Sequence, residues 1–126
     1  MGRGWLGAGL LALCLILGIG LSVAADKACL PTEALLEQAA EKTLSGDFEG
    51  GIALGEEAKQ RWQAHWNAIA AVADHEPMDE VDALFAEMEI YAKTGEKPHF
   101  AACCKELSRR VRSFADVHRF TWWNVL

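Results

Sequence analysis

β-Branched residues are scarce: six Val, five Ile and four Thr make 15 of 126 residues, too few for an all-β fold. Proline is rarer still, and Pro31, Pro77 and Pro98, with most of the glycines, fall where a helix would begin or end. Positive charge is outnumbered, 12 Lys and Arg against 18 Asp and Glu, which disfavours nucleic-acid binding. Signatures of chemistry are also missing. The chain has no Gly-x-Ser-x-Gly, no phosphate loop and no nucleophile with a base beside it. His65, His75, His99 and His118 form no His-x-x-x-His pair, there is no Cys-x-x-Cys, and the paired Glu-x-x-His of di-iron bundles is absent. The expectation is a protein that is not an enzyme and that holds no cofactor and no metal.

What the chain does have begins with a long apolar run. Trp5 to Ala25 is 21 residues without a charge, 16 of them apolar, with four Gly and Ser22. As a helix it reaches about 31 Å at ~1.5 Å per residue, enough for a hydrocarbon core. Residues 1–25 are therefore read as a signal peptide or membrane anchor, with a retained anchor through residues 5–25 favoured. Val23-Ala24-Ala25 also satisfies a small-residue cleavage rule, so secretion after cleavage near Ala25 is the alternative. Both readings export residues 26–126, and Arg3 ahead of the run agrees with that orientation. So long an uncharged run rarely fits the core of a small soluble protein.

The exported part reads as all-α. Pro31, with Glu33 beside it, suits the first turn of a helix over about 31–45 that carries Leu35, Leu36, Ala39, Ala40 and Leu44. Gly46 closes it and Asp47 caps the next, about 47–75. There Phe48, Ile52, Gly55, Trp62, Trp66, Ile69 and Ala73 form the apolar stripe, Lys59 is a misfit, Gly50 and Gly51 weaken the first turn, and His75 lies in the last. Pro77 opens a third helix, about 77–94, with Met78, Val81, Phe85, Met88 and Ala92 inward. The fourth, about 98–122, repeats Phe100, Cys104, Leu107, Val111, Phe114, His118 and Thr121 in a steady four-three rhythm, the seam of a helical bundle. Short connections make successive helices antiparallel, so an up-down antiparallel four-helix bundle follows an N-terminal hydrophobic helix.

Charge is divided along the chain. Residues 26–96 hold 16 acids and five bases, net −11, and residues 97–126 hold two acids and six bases, net +4. A basic fourth helix packed between acidic neighbours accounts for this. The sharper alternative is an electropositive face of Lys105, Arg109, Arg112 and Arg119 for anionic lipid or a partner. In the up-down arrangement Cys29 lies at the membrane end and Cys103 and Cys104 at the far end. The levels are too far apart for a disulfide, which needs Cα atoms within ~7 Å. His75, between Asp74 and Glu76, and His118 are the polar groups available to a small-molecule or metal-binding module.

The chain ends on Phe120, Trp122, Trp123, Val125 and Leu126, apolar groups that a solvated tail would not carry and that are the candidate interaction residues. At least one of the two tryptophans is expected to pack against residues near the junction of helices two and three or the start of helix one, with the other more exposed. The N-terminal hydrophobic segment, Trp62 and Trp66, Asp74-His75-Glu76 before Asp79-Glu80-Val81, and terminal Asn124-Val125-Leu126 together resemble the bacterial domain-of-unknown-function family 4363. The resemblance covers roughly residues 30–126, and the chain departs from the usual pattern in Gly50-Gly51 and Cys103-Cys104. It implies a small membrane-associated helical protein without an assigned activity. The resulting expectation is a non-enzymatic, membrane-anchored extracytoplasmic bundle that interacts with another envelope protein, on the outer side of the cell membrane. The alternative function is the ligand-binding module using His75 or His118.

Overall fold

In the computed structural model, which describes residues 2–69 and 75–123, every element is helical: α1 (Gly2–Leu44), α2 (Phe48–Ile69), α3 (His75–Thr94) and α4 (Lys97–Trp123). Side chains are described for residues 2–20, 29–65, 67 and 78–116. No strand occurs among the described residues.

α1 corrects the expected start of a helix at Pro31. The apolar run and the segment after it are one helix of 43 residues with Pro31 inside. Proline in a helix forgoes one hydrogen bond, that to the carbonyl four residues earlier, and the burial of Cys29, Thr32 and Leu36 around Pro31 holds the helix through that loss. His75 also moves: it opens α3 rather than closing the helix before it. Pro77 and Pro98 stand in first turns, where the missing N–H is one that has no partner within the helix anyway.

Both sharp turns are made as their glycines foretell. Gly46 has φ +103° and Gly95 has φ +73°, values that side chains with a Cβ rarely adopt. The Gly46 N–H donates to the Thr43 carbonyl (3.2 Å) and the Asp47 N–H to the Lys42 carbonyl (2.9 Å), which satisfies carbonyls left open at the end of α1. Asp47 then caps α2, its Oδ1 accepting from the Gly50 N–H at 3.0 Å.

The helices share one apolar core. α4 contributes Phe100, Cys104, Leu107, Val111 and Phe114, all buried, in the rhythm expected of it. α3 contributes Met78, Val81, Phe85 and Met88. Each such side chain, fully buried, stabilises by about 1.5–3 kcal/mol. In α2 the buried line is Gly51, Gly55, Ala58 and Trp62: Gly55 and Trp62 are on the expected stripe, Gly51 and Ala58 stand in place of their neighbours Ile52 and Lys59, and the side chains of Trp66, Ile69 and Ala73 lie outside the described residues. Phe48 and Ile52 are half-buried beside it. Lys59 is thus a flanking residue and no misfit. In α1, Thr43 takes the core place expected of Leu44, its hydroxyl donating to the Ala39 carbonyl at 2.8 Å, while Leu44 is 69% exposed.

α1 packs most extensively against α4 and α2, and α3 packs on α4. α4 runs antiparallel to α1, since Glu33 meets Arg112 and Glu37 meets Lys105 and Ser108. It is also antiparallel to α3, where Glu80 meets Arg110 and the Leu84 carbonyl meets Cys103. α2 and α3 touch less than any of these pairs. Met88 lies over Gly55, and Lys59 reaches across to Glu89.

Candidate functional site

The first nineteen residues of α1, Gly2–Gly20, are the one segment among the described residues long and apolar enough to cross a membrane, and none of it is buried in the protein. Trp5 is 85% exposed, and Leu6, Leu10, Leu11, Leu13, Ile16, Leu17 and Ile19 are exposed as well. At ~1.5 Å per residue the segment is about 28 Å long. A helix satisfies its own backbone groups, so such a segment can enter an apolar phase without orphaned N–H or C=O. A contiguous apolar surface of this extent marks an interaction site.

Of the four residues of the expected electropositive face, Lys105, Arg109 and Arg112 are paired with carboxylates, and the Arg119 side chain lies outside the described residues. Lys105 donates to Glu37, which also accepts from the Ser108 hydroxyl at 2.8 Å. The Arg112 guanidinium donates to Glu33 (Nε, 2.7 Å), and Arg110 Nη1 donates to Glu80 at 2.7 Å. The hydrogen bonds from Lys105 and Ser108 lower the Glu37 carboxyl below its ordinary value, and Glu33 raises Arg112. Arg109 pairs within its own helix, with Glu106. These pairs are partly solvated, so they direct how α4 lies on its acidic neighbours more than they add stability.

Among the described residues, two buried side-chain nitrogens lack hydrogen-bond partners. Trp62 is only 2% exposed, its ring edge-on to Phe114 with centroids 5.6 Å apart, and its Nε1 has no hydrogen-bond acceptor. One turn later on α2 the half-buried His65 has an unpartnered Nε2, and burial lowers its pKa. His65 reads in the sequence as a polar flank; its spacing of three from Trp62, on a line that turns inward, was the available signal.

None of the four cysteines is bridged, as their expected levels require. Cys103 donates to the Leu84 carbonyl at 3.3 Å. Burial pushes the Cys103 thiol up to about 11 and the Cys104 thiol to about 12, the opposite of what a thiolate nucleophile needs. No group of three or more His, Cys, Asp or Glu able to hold a metal occurs among the described residues. His75 and His118 lie on the backbones of α3 and α4, and their side chains lie outside the described residues. The same holds for Phe120, Trp122 and Trp123 in the last turns of α4, while Val125 and Leu126 lie wholly outside. The packing expected of a C-terminal tryptophan falls there too.

The family model described as Domain of unknown function (DUF4363) matches residues 23–125. The chain belongs to that family. No curated protein and no solved structure matches it. The DUF4363 match begins in the last residues of the charge-free run and takes in the rest of α1 with α2, α3 and α4.

Proposed function

We propose that the chain is a non-enzymatic, membrane-anchored helical bundle, held on the extracytoplasmic side of the cell membrane, that binds another envelope protein. The observation that carries this reading is the bare apolar half of α1, which continues without a break into the helix that packs against α2 and α4. Residues 26–126 then form an up-down four-helix bundle, consistent with the antiparallel pairing of α4 with both α1 and α3. Arg3 before the span supports an outward bundle. The apolar close of the chain (Phe120, Trp122, Trp123, Val125, Leu126) is the surface offered to the partner.

Alkaline extraction of membranes from expressing cells, followed by intact-mass measurement, tests the anchor. The expected result is the full-length chain in the membrane pellet. A soluble product lacking residues 1–25 overturns it. For the partner, deletion of residues 122–126 should lose a co-purifying envelope protein that the full chain retains. Equal recovery removes the tail from the partner surface.

A further inference from the structure

The ion pairs between α1 and α4 fix the height of every residue of α4 against α1. Arg112 meets Glu33. From Arg112 to Trp123 is eleven residues of continuous helix, and eleven residues back from Glu33 along α1 is Ser22. Glu37 with Lys105 and Ser108 gives the same register within three residues. Both helices rise ~1.5 Å per residue, so the levels keep step over this distance. Trp122 and Trp123 therefore stand level with the last turns of the charge-free run of α1, which ends at Ala25. By the same count the backbone of Arg119 stands about one turn further along, at the level of positions 26 and 27, just past that run. Tryptophan concentrates at the boundary between hydrocarbon and water, and arginine next to it suits the phosphate layer.

We infer that the last turn of α4, carrying Trp122 and Trp123, lies in the boundary layer of the bilayer that α1 crosses, so that the protein meets the lipid at two places. This rests on the membrane reading of α1 proposed above, and it goes beyond that reading by adding a lipid contact at the two tryptophans to the contact with a protein partner. Deletion of the tail cannot tell these apart, because it removes both contacts. Protein-free vesicles can.

The full chain is reconstituted in vesicles of phosphatidylethanolamine and phosphatidylglycerol, doped with lipid bearing a nitroxide either near the headgroup or at the chain end. Tryptophan emission is compared with that of W122F/W123F, and the difference reports the C-terminal pair. A W5F variant reports the α1 segment in the same way. The expected result is C-terminal emission quenched more by the headgroup-proximal nitroxide than by the chain-end one, with that component lost in W122F/W123F. If Trp5 is quenched and the C-terminal pair is indifferent to both nitroxides, the inference is overturned while the anchor stands. If neither is quenched, the membrane reading fails and the inference with it. Should the double substitution lower helicity by circular dichroism, W122F and W123F singly give the same difference one ring at a time.

Discussion

Gly51 shows how much can rest on a missing side chain. A Cβ there would lie 2.1 Å from Thr43 Oγ1 and 2.9 Å from the Ala39 carbonyl oxygen. The first is the end of a side chain already committed to a hydrogen bond, and the second is backbone, so neither can give way easily. Gly51→Ala should destabilise by about 1–3 kcal/mol, despite alanine's better helix propensity. Urea unfolding checks this, and an unchanged or raised midpoint would show that α2 does not approach α1 so closely. In the sequence Gly51 reads only as a weak spot in a first turn, because a glycine's contacts belong to its neighbours. His65 makes the second test at this scale. Burial favours its neutral form, so the folded pKa lies below the ordinary 6.5. As pH falls through 6.5 the unfolded chain takes up the proton first, and stability is lost in that direction. Thermal unfolding followed from neutral pH downward should show this loss, and His65→Leu should reduce it; identical slopes would mean that His65 is solvated in the fold.

Helices differ in how plainly they announce their buried face. In α4 the buried positions are large and apolar (Phe100, Leu107, Val111, Phe114), so sequence alone places its seam. In α2 the buried line is mostly small (Gly51, Gly55, Ala58), and the larger Phe48 and Ile52 are half-buried beside it, which is why the expected stripe takes Ile52 in place of Gly51. Amphipathic pattern measures hydrophobicity, and a seam built for close approach spends little of it. The boundary between α2 and α3 was misread for a related reason: Pro77 tolerates any place in a first turn, so it does not fix the start at itself. Asp47 was legible because capping needs one residue type at one place, and Asp47→Ala should cost about 1 kcal/mol in chemical denaturation. A cost near zero would mean that the Gly50 N–H finds water instead. The α1–α4 pairing predicts an acid limb as well. Glu37 titrates below its ordinary 4.5 through Lys105 and Ser108. The stability it lends is present above 4.5 and is lost as pH falls through its lower folded value. Both partners are more than a third exposed, so the effect should be under about 1 kcal/mol. Glu37→Gln should lack this part of the pH dependence, and an acid limb equal to the wild type's would assign it elsewhere.

For the whole molecule, closure of the core can be read from its thiols. With values pushed up to about 11 and 12, Cys103 and Cys104 should resist iodoacetamide at neutral pH and react once the chain is unfolded. Mass spectrometry of labelled peptides resolves them from exposed Cys14. Labelling of Cys104 in the native protein as fast as in denaturant would show that the α3–α4 seam opens readily. The candidate membrane segment was legible in the sequence, since a charge-free run declares itself. Its union with the next helix was not, because Pro31 argues for a boundary on local grounds and only the packing of Cys29, Thr32 and Leu36 argues against one.

An unbroken helix of 43 residues is also a lever. It is about 65 Å long at ~1.5 Å per residue, and some 36 Å of it lies beyond Gly20. Were the first half to tilt by roughly 10°, the turn at Gly46 would swing sideways by about 6 Å, carrying α2 and α4 with it. The place for such a motion to be absorbed is the carbonyl of residue 27, which receives no hydrogen from Pro31. A helix stiff on both sides of a single absent bond transmits orientation through most of its length and yields, if at all, at one known residue.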